Sequence, residues 1–276
     1  MKKLKRIVMI GPVYPYKGGI SHYTGLMYRA LSKKYSVKMI SYKLQYPKFL
    51  FKKEQKDYSN KAFQIENTGY LINTANPFNC ISVASRIKRM KPDLVIFQWW
   101  HPYFAPCYWI MEKVLGRNVK KMFLCHNVFP HERFPMDRFL SRLVLKQGDY
   151  FITHSKMDAD DLLSIKCDAR YIQTVLPTFN AFKNKNISQE NARTQLGITY
   201  DEKVLLFFGF IREYKGLKHL LKAMPILEQT LSNVKLLIVG DFGDDKQDYL
   251  NLIHKLGIYS MLKIYDEYIP DQEVEK

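Results

Sequence analysis

Residues 207–216 read Phe-Phe-Gly-Phe-Ile-Arg-Glu-Tyr-Lys-Gly, and the apolar run Val204–Phe208 leads into them. Such a run predicts a buried parallel strand, and the turn after it predicts a helix from about Gly216–Leu217. Arg212 and Lys215 would then lie where the carboxyl ends of parallel strands bind ligands. A guanidinium and an ammonium beside a helix N-terminus suit a diphosphate, although two solvated surface cations are the alternative interpretation.

A similar turn stands near the N-terminus. The predicted strand Arg6–Ile10 runs into Gly-Pro-Val-Tyr-Pro-Tyr-Lys-Gly-Gly-Ile-Ser-His, residues 11–22, and a helix is expected over Ser21–Ser32. The pair Gly18-Gly19 would let the loop backbone approach a bound molecule closely, although a simple turn is the commoner meaning of two glycines. Two such turns, each leading a Rossmann-like half, predict two lobes that face one ligand.

His126 follows the apolar strand Met122–Cys125 and is the candidate catalytic residue. An imidazole at this edge can donate a hydrogen bond to a ligand or stabilise charge that develops in a transition state. A histidine packed at a strand end is the alternative.

Three motifs occur in order: Gly18-Gly19, His126-Asn127 and the turn from Gly209 to Gly216. In this respect the chain resembles the retaining glycosyltransferases of the GT-B fold, specifically the family 4-like group, also called group 1. Many members carry the arginine directly after the first glycine of the third motif. Here Phe210 stands at that place, which leaves the exact contact of Arg212 open.

The resemblance implies an α/β protein with two Rossmann-like lobes and parallel sheets. Residues 1–180 would form the acceptor-binding lobe, and residues 188–276 would form part of the nucleotide-sugar-binding lobe. About a hundred further residues would be needed to complete the second sheet. The roles implied are sugar contact for His126, donor binding for Arg212, Lys215, Gly18, Gly19 and Gly209, and acceptor-side positions for His22, Asn127 and Glu132.

The implied activity is transfer of a sugar, with retention, from a nucleotide-diphosphate sugar to a glycan or lipid-linked acceptor, as in cell-surface polysaccharide synthesis. No metal or other cofactor is expected, because Arg212 and Lys215 would neutralise the leaving diphosphate. Asp158-Ala159-Asp160 matches a metal-binding Asp-x-Asp, but its position after Ser155 favours a helix start. Asp241-Phe242-Gly243 is interpreted as a turn that faces the nucleotide site.

Composition leaves other functions open. There are 43 Lys and Arg against 26 Asp and Glu, a net charge of +17, and no acidic residue precedes Glu54. A basic N-terminal lobe could bind a polyanion or an anionic membrane, and the aromatic, lysine-rich stretch Tyr42–Tyr58 favours a peripheral membrane face. A nucleic-acid-binding protein is one alternative, although no recognition motif is visible and no nucleic acid is expected. A sugar-nucleotide epimerase on the same fold and a non-catalytic relic are the others.

The four cysteines, Cys80, Cys107, Cys125 and Cys167, show no metal-ligand spacing and are predicted to be buried thiols of a cytoplasmic protein. An interdomain linker is predicted over Leu176–Asn186, and residues 42–76 are predicted to form loops or a hairpin. A helix is expected to begin at Asp271–Lys276. The other strands expected are Val37–Ser41, Leu94–Gln98, Lys121–Cys125, Tyr150–Thr153, Ala169–Thr174, Val234–Val239 and Met261–Tyr265. The other helices expected are Cys80–Arg89, Tyr103–Leu115, Met136–Lys146, Met157–Ser164, Ser188–Leu196, Leu217–Thr230 and Lys246–Leu256.

Overall fold

The computed structural model describes residues 5–51, 54–59, 61, 64–132, 136–178 and 187–276. The chain divides into two compact units, Met1–Phe179 and Asn180–Lys276. Most of the predicted linker, residues 179–186, lies outside the described residues. Among the described residues, no helix has both the length and the apolar character needed to cross a bilayer.

The first unit contains a seven-stranded sheet in the order β3-β2-β1-β4-β5-β6-β7, in which every neighbouring pair is parallel. Its strands are β1 (Arg6–Ile10), β2 (Ser36–Leu44), β3 (Gly69–Asn73), β4 (Leu94–Trp99), β5 (Lys120–Cys125), β6 (Tyr150–Thr153) and β7 (Tyr171–Gln173). Its helices are α1 (Gly19–Ser32), α2 (Pro77–Arg89), α3 (Ala105–Leu115), α4 (Asp137–Leu145) and α5 (Lys156–Ile165).

The second unit contains a three-stranded parallel sheet in the order β10-β9-β8. Its strands are β8 (Lys203–Phe208), β9 (Val234–Val239) and β10 (Leu262–Tyr265). Its helices are α6 (Gln189–Leu196), α7 (Leu217–Thr230) and α8 (Lys246–Leu256). Ser188 caps α6 by accepting a hydrogen bond from the Asn191 amide at 3.2 Å, and Gly197 ends it in the left-handed conformation.

These units confirm the predicted α/β class with two parallel sheets. Three local predictions were wrong. Residues 42–76 contain β3, which pairs parallel with β2 and forms an edge of the sheet rather than a hairpin. Asp271–Lys276 forms hydrogen-bonded turns instead of a helix, and Cys167 is exposed while the other cysteines are buried.

Side-chain alternation along the central strands decides which residues face α1. Ile7 and Met9 of β1 pack in one cluster with Leu31 of α1, whereas Val8 and Ile10 pack on the opposite side of the sheet with residues of α2 and α3. Successive strand residues point to opposite faces, so this parity holds across neighbouring strands in register. We call the side of the first sheet that carries Ile7 and Met9 the α1 face.

Candidate functional site

Four positions at the carboxyl ends of neighbouring strands fall on the α1 face, because side chains alternate between the two faces along each strand. They are Gly11 after β1, Gln98 in β4, His126 after β5 and His154 after β6. The side chains of the last three would therefore lie side by side at the ligand-binding edge of the first unit. Two contacts, one between Gln98 and His126 and one between the two imidazoles, agree with this arrangement.

His126 is held by Gln98 and enclosed by aromatic rings. Its Nε2 lies 2.8 Å from Gln98 Oε1, and its backbone amide donates to the Trp99 carbonyl at 2.8 Å. The ring of Tyr23, on α1, meets the rings of His126 and His154 edge-on, with centroids 5.2 Å away in both cases. The two imidazole centroids are 5.8 Å apart.

The surroundings of His126 disfavour its charged form. Burial, together with the nearby His154, lowers the pKa of His126 to about 3. The imidazole is therefore neutral near pH 7. It can donate through one nitrogen and accept through the other, which suits recognition of a hydroxyl group.

The Gly18-Gly19 pair sits at the start of α1. Gly18 has a φ of 101°, in the region that favours glycine, and its carbonyl accepts from the amides of Ser21 and His22 at 3.0 and 3.3 Å. No atom lies within 4 Å of where a Cβ would stand on Gly18 or Gly19. The loop surface is consequently open, so a ligand could approach the backbone. His22 itself is buried.

The loop after β5 is anchored by Asp158, the first acid of the Asp-x-Asp motif. The Asp158 carboxylate accepts from the Val128 amide at 2.9 Å and from the Ser155 hydroxyl at 2.6 Å. Ser155 Oγ in turn accepts from the Asp158 amide at 3.0 Å, so the acid belongs to the cap of α5. In the same loop Asn127 is partly buried and Glu132 is exposed.

The second unit places its two candidate cations in the turn after β8. Arg212 precedes a short 3-10 turn, Glu213–Lys215, and the Arg212 carbonyl accepts from the Lys215 amide at 3.0 Å. Burial and the charge of Arg212 lower the pKa of the Lys215 ammonium. Across all residues that the structure describes, neither side chain takes part in an ion pair or a hydrogen bond. The neighbouring Lys218, by contrast, pairs with Glu213 at 2.7 Å.

Glycines bring the backbone of the neighbouring turns close to these cations. A Cβ on Gly209 would stand 3.1 Å from Lys215 Nζ, and one on Gly243 would stand 3.6 Å from Arg212 Nη1. Gly209 has a φ of 106° and Gly243 a φ of 67°. The cations therefore lie over the ends of two adjacent turns, one after β8 and one after β9.

Asp241-Phe242-Gly243 forms the predicted turn after β9, and that this turn faces a nucleotide stays a prediction. Asp241 accepts from the Gly243 amide at 2.8 Å, and its carbonyl accepts from the Ile211 amide at 3.0 Å. Gly240, which precedes it, has a φ of 147°, and a Cβ there would lie 2.0 Å from the Gly209 carbonyl oxygen. Only glycine fits at this crossing of the two turns.

Sequence reasoning missed Gln98, His154, Tyr23 and Gly240. A signal for Gln98 was present, since it is the polar residue inside the buried run Leu94–Trp99. His154 shares its strand-end position with His126, and the alternation of β6 would have placed it on the same face. Tyr23 carried no separate signal.

Comparison with known proteins accounts for both units. The model of Glycosyltransferase Family 4 matches residues 17–178, and the model of Glycosyl transferases group 1 matches residues 188–275. An uncharacterized glycosyltransferase of Methanocaldococcus jannaschii is 42% identical over 78 residues, which is 26% of this chain and 19% of that protein. Lipopolysaccharide 1,2-N-acetylglucosaminetransferase of Salmonella typhimurium is 44% identical over 63 residues, which is 23% of this chain and 16% of that protein. The chain thus matches less than a fifth of the length of these curated relatives.

Solved structures share the fold at low identity. A glycosyltransferase from Rickettsia africae superposes with a TM-score of 0.66 at 17% identity, over 98% of this chain and 70% of that chain. A putative UDP-N-acetylglucosamine 2-epimerase from Listeria monocytogenes superposes with a TM-score of 0.63 at 12% identity, over 99% of this chain and 71% of that one. The family matches cover most of the sequence, and the chain belongs to glycosyltransferase family 4, with a second unit of the group 1 type.

Proposed function

We propose that this protein transfers a sugar from a nucleoside-diphosphate sugar to a glycan or lipid-linked acceptor, with retention of the anomeric configuration. The family membership supports the transferase class. The resemblance of the three motifs to those of retaining GT-B enzymes is what supports the proposal of retention. A polysaccharide role is supported by the lipopolysaccharide transferase among the relatives.

The observation that carries the proposal is the pair of cations without acidic partners. Partial burial and then the nearby charge of Arg212 lower the pKa of the Lys215 ammonium, and no described residue forms an ion pair with either cation. An anion that bridged both would remove the repulsion between them and gain charge-assisted hydrogen bonds. The diphosphate of a nucleotide sugar has the charge and length for that role, and the open glycine turns would admit it.

The same cations define the proposed chemistry. As the bond to the sugar breaks, negative charge accumulates on the departing diphosphate, and fixed cations stabilise it without protonation. His126, neutral and oriented by Gln98, would contact a sugar hydroxyl in the first unit. Gly18 and Gly19 would bring backbone close to the donor, while His22, Asn127 and Glu132 are proposed to lie on the acceptor side.

A peripheral location at the inner face of the membrane forms part of the proposal. Phe49 is 78% exposed and Leu50 is 53% exposed, and the exposed Lys48 directly precedes Phe49 in the sequence. Exposed apolar side chains beside lysines suit the interface of an anionic bilayer. Two of the lysines in this stretch, residues 52 and 53, lie outside the described residues.

The membrane proposal can be tested by sedimentation with vesicles. The double variant Phe49→Ser and Leu50→Ser should lose binding to phosphatidylserine-containing vesicles. Phe78→Ser, which alters a side chain 79% exposed on α2, is the matched control and should keep it. Equal binding of the unaltered protein to neutral and anionic vesicles would overturn this part of the proposal.

The donor site is tested by calorimetry with UDP-, GDP- and ADP-sugars. Lys215→Ala should weaken binding of the preferred donor by roughly tenfold or more, since a charged hydrogen bond is lost. Lys222→Ala removes an equal charge from an exposed position on α7 and should leave binding within about twofold. Equal affinities of the two variants would refute the diphosphate assignment.

An epimerase is the second candidate, favoured by the epimerases among the structural neighbours. It would convert a nucleotide sugar in the absence of any acceptor. Incubation of each donor without acceptor, followed by analysis of the sugar products, separates the two: a new epimer supports the epimerase, and an unchanged donor supports the transferase. Steeply salt-dependent binding to nucleic acid, with no nucleotide-sugar binding, would favour a polyanion-binding protein instead.

A further inference from the structure

Gln98 is a polar residue placed where the fold would otherwise have an apolar one. It lies in β4, where all six residues are buried, and its own side chain is fully buried. Alternation puts it on the α1 face together with Leu94 and Ile96 of the same strand. A buried amide is costly unless it is hydrogen-bonded, so its partners indicate why it is there.

The fold leaves a defined space for this amide. Gly11, at the end of β1, lies directly beside it: a Cβ at Gly11 would stand 2.3 Å from Gln98 Cγ and 2.9 Å from Gln98 Cβ. It would also lie 3.6 Å from Thr24 Cγ2 on α1. The side chain of Gln98 is therefore fixed between the end of β1 and the helix above it.

The contacts of Gln98 set the orientation of its amide. Its Nε2 faces Met27 Sδ at 4.0 Å, a weak acceptor, while its Oε1 lies 2.8 Å from His126 Nε2. A carbonyl oxygen only accepts, so the proton of a neutral His126 must be on Nε2. The other ring nitrogen, Nδ1, then carries a lone pair. It makes no hydrogen bond to any residue that the structure describes.

We propose that Gln98 is a positioning residue that holds His126 in the Nε2–H tautomer, so that Nδ1 accepts a hydrogen bond from a hydroxyl of the bound sugar. The inference rests on the proposed function for the identity of the ligand, a hydroxyl-bearing sugar. The tautomer itself depends only on the geometry of Gln98 and His126. The edge-on ring of Tyr23 stabilises the orientation of the imidazole plane.

In this arrangement Nδ1 of His126 accepts a hydrogen bond from the ligand, whereas the Nδ1–H of a cationic histidine would donate one. A hydroxyl can satisfy the lone pair by donating its proton, but a ligand with fluorine or hydrogen in place of that hydroxyl cannot. Gln98 would thereby act on ligand choice without touching the ligand, in the way that partners of metal-bound histidines fix their tautomers.

The tautomer is measured by NMR on the whole chain with ¹⁵N-labelled histidine. The sequence has seven histidines, and the His126 signals are identified by their loss in His126→Asn. At neutral pH we expect an unprotonated Nδ1 and a protonated Nε2. Gln98→Met keeps the length of the side chain but removes the acceptor, so the His126 signals should shift towards a mixture of tautomers. A protonated Nδ1 in the unaltered protein would overturn the proposal.

Two isosteric replacements test the role of Nδ1. Asparagine places a polar atom near the position of Nδ1, and glutamine places one near Nε2. His126→Asn should therefore retain donor binding better than His126→Gln, by roughly tenfold, the value of one hydrogen bond. The reverse order would refute the role of Nδ1.

A panel of deoxy and deoxyfluoro donors completes the test. Against the unaltered protein, one deoxy analogue should bind roughly tenfold more weakly than its parent sugar. Against Gln98→Met, that discrimination should shrink. If it persists unchanged, Gln98 has only a structural role. If no nucleotide sugar binds at all while the NMR shows the expected tautomer, the proposed function fails and the geometric inference stands.

Discussion

His126 makes the first unit sensitive to mild acid. Its pKa is about 3 in the folded protein, against an ordinary value of 6.5. The folded state therefore binds this proton less readily than the unfolded state. The contribution to stability is complete above about pH 6.5 and is lost as the pH falls from there towards 3.

The size of the effect follows from this difference. At about pH 5.5, roughly ten unfolded chains in eleven carry the proton on His126, while the folded imidazole stays neutral. The free energy of unfolding is then lower by RT ln 11, about 1.4 kcal/mol, than it would be without the titration. Near pH 7.5 the same quantity is below about 0.1 kcal/mol, so His126 alone contributes about 1.4 kcal/mol to the change in stability between the two conditions.

Urea unfolding followed by tryptophan fluorescence measures this pH-dependent change in the free energy of unfolding. All three tryptophans, Trp99, Trp100 and Trp109, belong to the first unit, so the signal reports that unit by itself. Between the two pH values the unaltered protein should lose about 1.4 kcal/mol more stability than His126→Asn. His101, whose pKa burial also lowers, is present in both proteins and cancels in the comparison.

A further variant sharpens the result. Gln98→Glu would place a carboxylate at the His126 Nε2–H and raise the imidazole pKa, so the acid loss should become smaller than in the unaltered protein. Parallel pH dependence of the unaltered protein and His126→Asn would mean that the imidazole titrates normally. The reasoning from burial would then be refuted.

Three further outcomes are expected. Gly240→Ala should destabilise the second unit by about 2 kcal/mol or more, because the new Cβ would meet the Gly209 carbonyl. The control Gly257→Ala should cost only about 1 kcal/mol, because Gly257 has a φ of 65° but no atom within 4 Å of the new Cβ. Thermal unfolding followed by circular dichroism compares the two variants. Equal losses would show that the close approach is easily relieved. Asp158→Ala should lower the stability of the first unit by about 1–3 kcal/mol, because the Val128 amide loses its acceptor; an unchanged fluorescence transition would count against that role. Transfer activity is expected to persist in excess chelator, and its abolition, restored by added magnesium, would show that the cations do not suffice.

The fold was largely predictable because its strong signals are local. Short apolar runs marked the central strands, and Ser188 and Gly197 marked the ends of α6 through caps that the structure confirms. β3 was missed because it lies at the sheet edge, where Tyr70 remains exposed and a buried apolar pattern is weak. The pairing of β3 with β2 is also irregular, and neither hydrophobic periodicity nor a turn motif in the sequence predicted this strand.

The candidate site was predictable only in part, for a different reason. Motifs identify residues one at a time, and they singled out His126, Arg212 and Lys215. The polar position of Gln98 inside the buried run Leu94–Trp99 was a signal in the sequence, but its contact with His126 becomes visible only in the assembled sheet. Whether Arg212 and Lys215 bind a diphosphate stays a prediction until a ligand is measured.

Parity along the strands also determines which changes in chain length the site can survive. Gln98, His126 and His154 share the α1 face because each lies an even number of residues along the chain from a residue of its own strand that is already on that face. Insertions in the loops that precede these strands leave this count untouched. A single deletion within β5 would turn His126 towards the side of α2 and α3, with every chemical group still present. Insertions and deletions in the loops between strands should therefore preserve the site, whereas a change of one residue within a strand should disrupt it. A one-residue deletion in β5 should abolish the contact between His126 and Gln98 even if the sheet still assembles.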